Sequence, residues 1–120
     1  MTSRGILPVQ DIREAVEAGM ISAVTPITDR QMQPASLDLR LGSRAWRVQS
    51  SFLPGAEMRV EDKLARLAMH QIDLAGGAVL ERGCVYIVEL QERLALQSDV
   101  SAMANPKSST GRLDIFTRLI

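Results

Sequence analysis

The apolar positions of this chain change period as it runs. Behind Pro8, Ile12, Val16 and Met20 fall at every fourth position while Asp11, Arg13, Glu14 and Glu17 fill the other faces. That spacing predicts an amphipathic helix over Val9 to Met20, with Gly19 where a helix would stop. Thr25 to Pro34 is polar and holds two prolines, and reads as a loop. From Ser36 to Gly42 the pattern alternates, with Leu37, Leu39 and Leu41 on one side and Ser36, Asp38 and Arg40 on the other. This is the signature of a half-buried strand. Ala45 to Val48 continues the alternation, which predicts a hairpin around Gly42 and Ser43.

Farther on, Leu64, Leu67 and Ala68 share one face of a short helix predicted over Val60 to Met69. Gln71 to Leu74 alternates again, and Gly76-Gly77 marks a tight turn. Ala78 to Leu80 and Cys84 to Leu90 read as strands, separated by Glu81-Arg82-Gly83. Arg93 to Leu96 and Val100 to Ala104 are weaker strand patterns. Short strands spaced by turns behind one leading helix predict a mainly β sandwich or barrel. At the end, Leu113, Ile115, Phe116, Leu119 and Ile120 form an apolar pattern that nothing caps. Such a segment either docks on the chain's own core or belongs to a longer protein. The expectation is a single domain over residues 1–120, incomplete at its C-terminal side.

Composition narrows the classes. The length of 120 residues suits one domain, and 46% hydrophobic residues suffice for a core. That core must be aliphatic, because the aromatics are only Trp46, Tyr86, Phe52 and Phe116. Fourteen basic residues balance fourteen acidic ones, whereas a general nucleic-acid or membrane-surface binder usually carries a basic excess. One cysteine allows no internal disulfide, and cytoplasmic residence is the natural reading. No apolar run approaches a membrane span, and the start lacks the pattern of a signal peptide.

Candidate chemistry is sparse. His70 and Cys84 are the sole histidine and cysteine, too few for a zinc site built from those residues. The zinc deaminase signature, H-x-E with P-C-x-x-C, is absent. Cys84 opens an apolar run and reads as a small buried hydrophobe, and His70 as a turn residue. Gly76-Gly77 lacks the spacing of a dinucleotide fingerprint, and Lys107-Ser108 lacks the upstream glycines of a P-loop. The segment Lys107-Ser108-Ser109-Thr110-Gly111-Arg112 nevertheless suits a phosphate. Pro106 resists helix before it, so a helix or turn can begin at Ser108 with free backbone N–H groups. Three hydroxyls, a lysine point charge and an arginine fork add donors. A capped surface loop with two solvated cations is the alternative, and spacing leaves both open.

Two segments taken together carry a resemblance. Gln33-Pro34-Ala35-Ser36-Leu37-Asp38-Leu39-Arg40-Leu41-Gly42 resembles the early strand motif of the dCTP deaminase family, within the dUTPase-like superfamily. Lys107 to Arg112 resembles that family's Arg-Ser-Ser-x-x-Arg motif, with lysine at the first position. Arg82 to Val88 is similar to its glycine turn and following strand. The likeness is to the N-terminal portion of the long bacterial form, and it spans most of the chain.

The resemblance implies a distorted β-barrel or jelly roll assembled as a trimer-like homo-oligomer, with sites between domains. It implies zinc-independent deamination of dCTP to dUTP and ammonia, on a triphosphate that carries Mg2+. Lys107 and Ser109 would contact the triphosphate, Ser108 would lie near the base and its water, and Arg112 would order that water or a phosphate. Asp38 would support the site. The family's general acid–base is a glutamate in a later motif, and this chain ends before it. Water attack at C4 of cytosine needs such a group. The other reading is therefore a deoxynucleotide-binding or assembly module without turnover.

Overall fold

The computed structural model describes residues 4–120. Seven strands and three α-helices follow in the order α1 (Val9–Glu17), β1 (Ile21–Ala23), β2 (Met32–Gln33), β3 (Ser36–Leu37), β4 (Leu41–Val48), α2 (Val60–Leu67), β5 (Ala68–Asp73), β6 (Val85–Leu90), β7 (Glu92–Leu94) and α3 (Ser108–Arg112). A 3-10 turn at Asp29–Gln31 precedes β2. The fold is mainly β with few helices, and the leading helix is where the periodicity predicts it.

α1 buries Ile12 and Ala15 and closes on itself at Gly19. Gly19 takes φ 78°, its N–H donates to the Val16 carbonyl, and the next N–H, of Met20, reaches back to Ala15. This arrangement satisfies two orphan carbonyls and requires the left-handed conformation that glycine adopts without strain. At the other end the Val9 N–H donates to the Pro34 carbonyl at 2.8 Å. The helix start is thereby pinned to the turn between β2 and β3.

The strands form three open sheets, not a closed barrel, among the described residues. β1 pairs with β7, β2 with β3, and β4 lies between β5 and β6, all antiparallel. Ala45 and Val48 of β4 are buried, as is Leu64 of α2, which packs on β4. Glu61 and Asp62 in the first turn of α2 and Arg66 in its last complement the helix dipole.

Several sequence expectations are corrected. No hairpin turns at Gly42 and Ser43: β4 continues through them, with a shift in its register against β6 between Leu41 and Ala45. Gly42 is required there by close approach, since a Cβ would stand 2.8 Å from the Glu89 carbonyl oxygen of β6. The alternating stretch from Ser36 to Gly42 is not one strand, because pairing stops after Leu37. The backbone of Asp38 and Arg40 turns instead to side-chain and loop partners described below. The predicted loop before Pro34 holds the 3-10 turn and β2. α2 ends at Leu67, and Ala68 and Met69 open β5, which also contains His70. His70 is thus a strand residue opposite Arg47, not a turn residue. Ala78 to Leu80 and Val100 to Ala104 form no strand. The Gly76-Gly77 turn is present, with Gly77 at φ 83°, but the residues after it find no pairing partner, and Val79 is 87% exposed.

Candidate functional site

Both motifs singled out from the sequence meet in space. Lys107 precedes α3, and its ammonium lies 2.7 Å from Oδ2 of Asp38, across 69 positions of sequence. Gln33 Nε2 donates to the same carboxylate oxygen at 3.2 Å. Asp38 is half-buried, with 22% of its side chain exposed, whereas the Lys107 side chain is 61% exposed. An ammonium has three donors, and Asp38 engages one, so the others remain available to an incoming anion.

α3 is short because Pro106 cannot lead into it and Asp114, at φ 60°, turns the chain just beyond it. Its one turn is closed by the Gly111 N–H to the Lys107 carbonyl at 2.9 Å. Ser108, Ser109 and Arg112 are exposed, and their side chains make no hydrogen bond or ion pair with other described residues. Thr110 is half-buried. Packing does not demand glycine at 111, since a Cβ there would meet nothing within 4 Å. The result is an open surface bearing a cation held from behind, free hydroxyls and a free guanidinium. A cleft of roughly 250 Å3, lined by Arg44, Trp46, Leu64, Tyr86, Glu89 and Leu119 among others, includes none of these residues.

Beneath Asp38 lies a polar network that the sequence does not announce. Glu92, at the start of β7, has 1% of its side chain exposed. Its Oε1 accepts from Gln31 Nε2 at 2.9 Å and from Arg40 Nε at 2.8 Å, and its Oε2 accepts from the Arg40 backbone N–H at 2.9 Å. Burial pushes the Glu92 carboxyl up, but the donors from Arg40, its own backbone N–H and Gln31 outweigh this and hold it below its ordinary value. Arg40 also donates to the carbonyls of Thr25 and Pro26. Gln31, itself buried, grips the backbone of Asp38 from both directions: its Nε2 donates to the Asp38 carbonyl at 2.9 Å, and its own carbonyl accepts the Asp38 N–H at 2.8 Å. The Gln31 Oε1 accepts from the Thr28 N–H. Gln31 sat in a polar, proline-bearing stretch, and Glu92 at the edge of a weak strand pattern, so periodicity made both look like surface residues. Arg40 within the motif was the one available signal.

Elsewhere, Cys84 is half-buried with its Sγ 3.8 Å from Glu81 Oε2, and is not the fully buried hydrophobe that its run predicts. His70 lies in β5, a strand apart from the Cys84 turn. Among the described residues, no group of three or more His, Cys, Asp or Glu side chains is placed to hold a metal ion. No helix among the described residues is long and apolar enough to cross a membrane.

With this geometry in hand, comparison with known proteins is direct. Residues 3–120 match the model of the 2'-deoxycytidine 5'-triphosphate deaminase (DCD) N-terminal domain. The chain belongs to that family. It is 34% identical over 113 residues to the dCTP deaminase of Haloarcula marismortui, covering 92% of this chain. It is 32% identical over 116 residues to the dUMP-forming dCTP deaminase of Methanothermobacter thermautotrophicus, again over 92% of the chain. The crystal structure of 2'-deoxycytidine 5'-triphosphate deaminase from Agrobacterium tumefaciens superposes with a TM-score of 0.89 at 58% identity, over 93% of this chain. The chain spans little more than half of the curated relatives, 57% and 56% of these two, and 34% of the Agrobacterium chain.

Proposed function

We propose that this chain supplies the triphosphate-binding part of a dCTP deaminase. In the reaction, water adds at C4 of cytosine and ammonia leaves, converting dCTP to dUTP. Lys107 and Ser109 bind the triphosphate, Ser108 lies beside the base and the attacking water, and Arg112 orders that water or a neighbouring phosphate. Asp38 holds Lys107 in place. The single observation that supports this reading most is the Lys107–Asp38 ion pair, which joins the two motifs of the family at one point of the surface. Deamination needs a proton carrier, and in this reading a glutamate outside these residues supplies it, in a trimer-like assembly in the cytoplasm. The residues around α3 fit a Mg2+ that arrives on the nucleotide better than a resident ion. Magnesium commonly binds through substrate phosphates with few protein ligands, and Asp38 is the carboxylate seen beside Lys107. When bound, the ion would neutralise phosphate charge.

A second reading, a deoxynucleotide-binding or assembly module without turnover, draws on one observation. Asp38 is engaged by Lys107 and Gln33 and is poorly placed to shuttle protons. Incubation of the protein with dCTP and Mg2+, followed by ammonia assay and chromatography of the nucleotides, separates the two. Ammonia and dUTP are expected from the full-length protein. Binding of dCTP without ammonia favours the second reading, and absence of dCTP binding in calorimetry overturns both.

A further inference from the structure

We infer that Glu92, Gln31 and Arg40 act as positioning residues for Lys107, through Asp38. The inference rests on the reading of Lys107 as a phosphate ligand, and extends it to residues that touch no substrate. The geometry is a chain of hydrogen bonds with Glu92 at its base. One buried carboxylate fixes Gln31 through Oε1 and the backbone of Arg40 through Oε2. Gln31 in turn holds both backbone polar groups of Asp38. Asp38 lies between these two anchors in sequence, in the stretch where strand pairing has stopped. One backbone bond, to the Gln31 carbonyl, continues the β2–β3 register at Asp38, and beyond it the side-chain network fixes its position. The carboxylate of Asp38 then holds the Lys107 ammonium at 2.7 Å. A lysine side chain is otherwise among the most costly to order, and one already held in place loses less freedom when an anion binds.

Charge alone predicts the opposite outcome to positioning, which makes the inference testable. Asp38→Asn and Glu92→Gln each remove a negative charge near an anion site, so simple attraction would tighten phosphate binding in both variants. Loss of positioning would weaken it. The experiment measures calorimetric binding of inorganic tripolyphosphate, and kcat and KM for dCTP, on the native full-length protein and its variants. Lys107→Met is expected to weaken tripolyphosphate binding about tenfold or more, the scale of one charge-assisted hydrogen bond. Asp38→Asn and Glu92→Gln are expected to weaken it about three- to tenfold and to raise KM more than they lower kcat. Combining either with Lys107→Met should add nothing further. Leu64→Ala, in α2 and outside the network, controls for general destabilisation and should leave tripolyphosphate affinity unchanged. If Glu92→Gln fails to fold, Asp38→Asn, which leaves the buried hydrogen bonds intact, decides the matter. Unchanged or tighter binding in Asp38→Asn, with Lys107→Met impaired, overturns the inference and leaves the phosphate reading standing. An unimpaired Lys107→Met overturns both.

Discussion

Replacing Glu92 by glutamine changes little in shape and much in hydrogen bonding. Three donors converge on the Glu92 carboxylate at 2.8–2.9 Å, from Gln31 Nε2, the Arg40 N–H and Arg40 Nε. A glutamine amide offers one acceptor oxygen and turns an NH2 group toward the remaining donors. At least one buried N–H then loses its partner, at about 1–3 kcal/mol. The Arg40 guanidinium, with 24% of its side chain exposed, also loses its counter-charge. Removing one partner of a fully buried pair costs about 3–5 kcal/mol, which bounds the effect from above. We expect a loss of about 2–4 kcal/mol at pH 7, or roughly 10 °C in thermal midpoint for a chain of this size. The pH dependence is a second check. Because the folded-state pKa of Glu92 is held below its ordinary value of 4.5, its stabilisation is present above that value. It is lost as pH falls through the folded-state pKa, where the wild-type carboxyl becomes neutral like the amide. Urea unfolding at pH 7 and at successively lower pH below 4.5 should therefore show the gap between wild type and variant narrowing in acid. A gap under about 0.5 kcal/mol at pH 7, or one that stays constant with pH, would refute the reasoning.

Gly42→Ala forces a methyl against the Glu89 carbonyl oxygen, at 2.8 Å before relaxation; calorimetry should show a loss of about 1–3 kcal/mol, with activity falling only as far as folded protein does. Ser109→Ala and Arg112→Ala, on exposed side chains without hydrogen-bond partners among the described residues, should lower kcat/KM for dCTP by about tenfold or more while the melting temperature stays put. Full activity in both would reduce the segment to an ordinary surface loop. Arg44 pairs with Glu89 through both guanidinium arms and lies over Trp46, yet is solvent-exposed. Arg44→Met should leave the thermal midpoint nearly unchanged, and a large drop would show that exposed pairs count for more here than screening allows.

Local signals in the sequence were read most reliably where a single element's own chemistry decides its structure. The helix after Pro8 and its stop at Gly19, the Gly76-Gly77 turn and the strand through Val85–Leu90 all follow from period and glycine placement. The family followed from two motifs in the right order, and the structure adds that Asp38 and Lys107 touch. The errors fall where a distant partner overrides a local pattern. Gly42 looked like a turn because the close approach of β6 is invisible from β4 alone. Asp38 and Arg40 kept the alternation of a strand whose regular pairing lapses, since Gln31 partners the Asp38 backbone and Glu92 and the Gln91 N–H partner that of Arg40. Glu92 itself was overlooked because a charged residue at a strand edge normally faces water, and only its three donors explain its burial.

The hydrogen bonds of the Glu92 network have a consequence for how the protein comes to exist. They join positions separated by 61 and 52 residues, and the Lys107–Asp38 pair spans 69. Contacts of such separation form only after costly loop closure, so they come late in folding compared with α1 and its capping turn. On the ribosome, α1 can coil as soon as it emerges, whereas Glu92 and Lys107 appear only near the end of these residues. Until then Arg40 and Gln31 have no carboxylate to hold them, and Asp38 has no fixed place. The surface around Lys107, proposed above to bind phosphate, is thus assembled later than α1, and a synthesis pause ahead of Glu92 would leave a chain with its helix in place and that surface unmade.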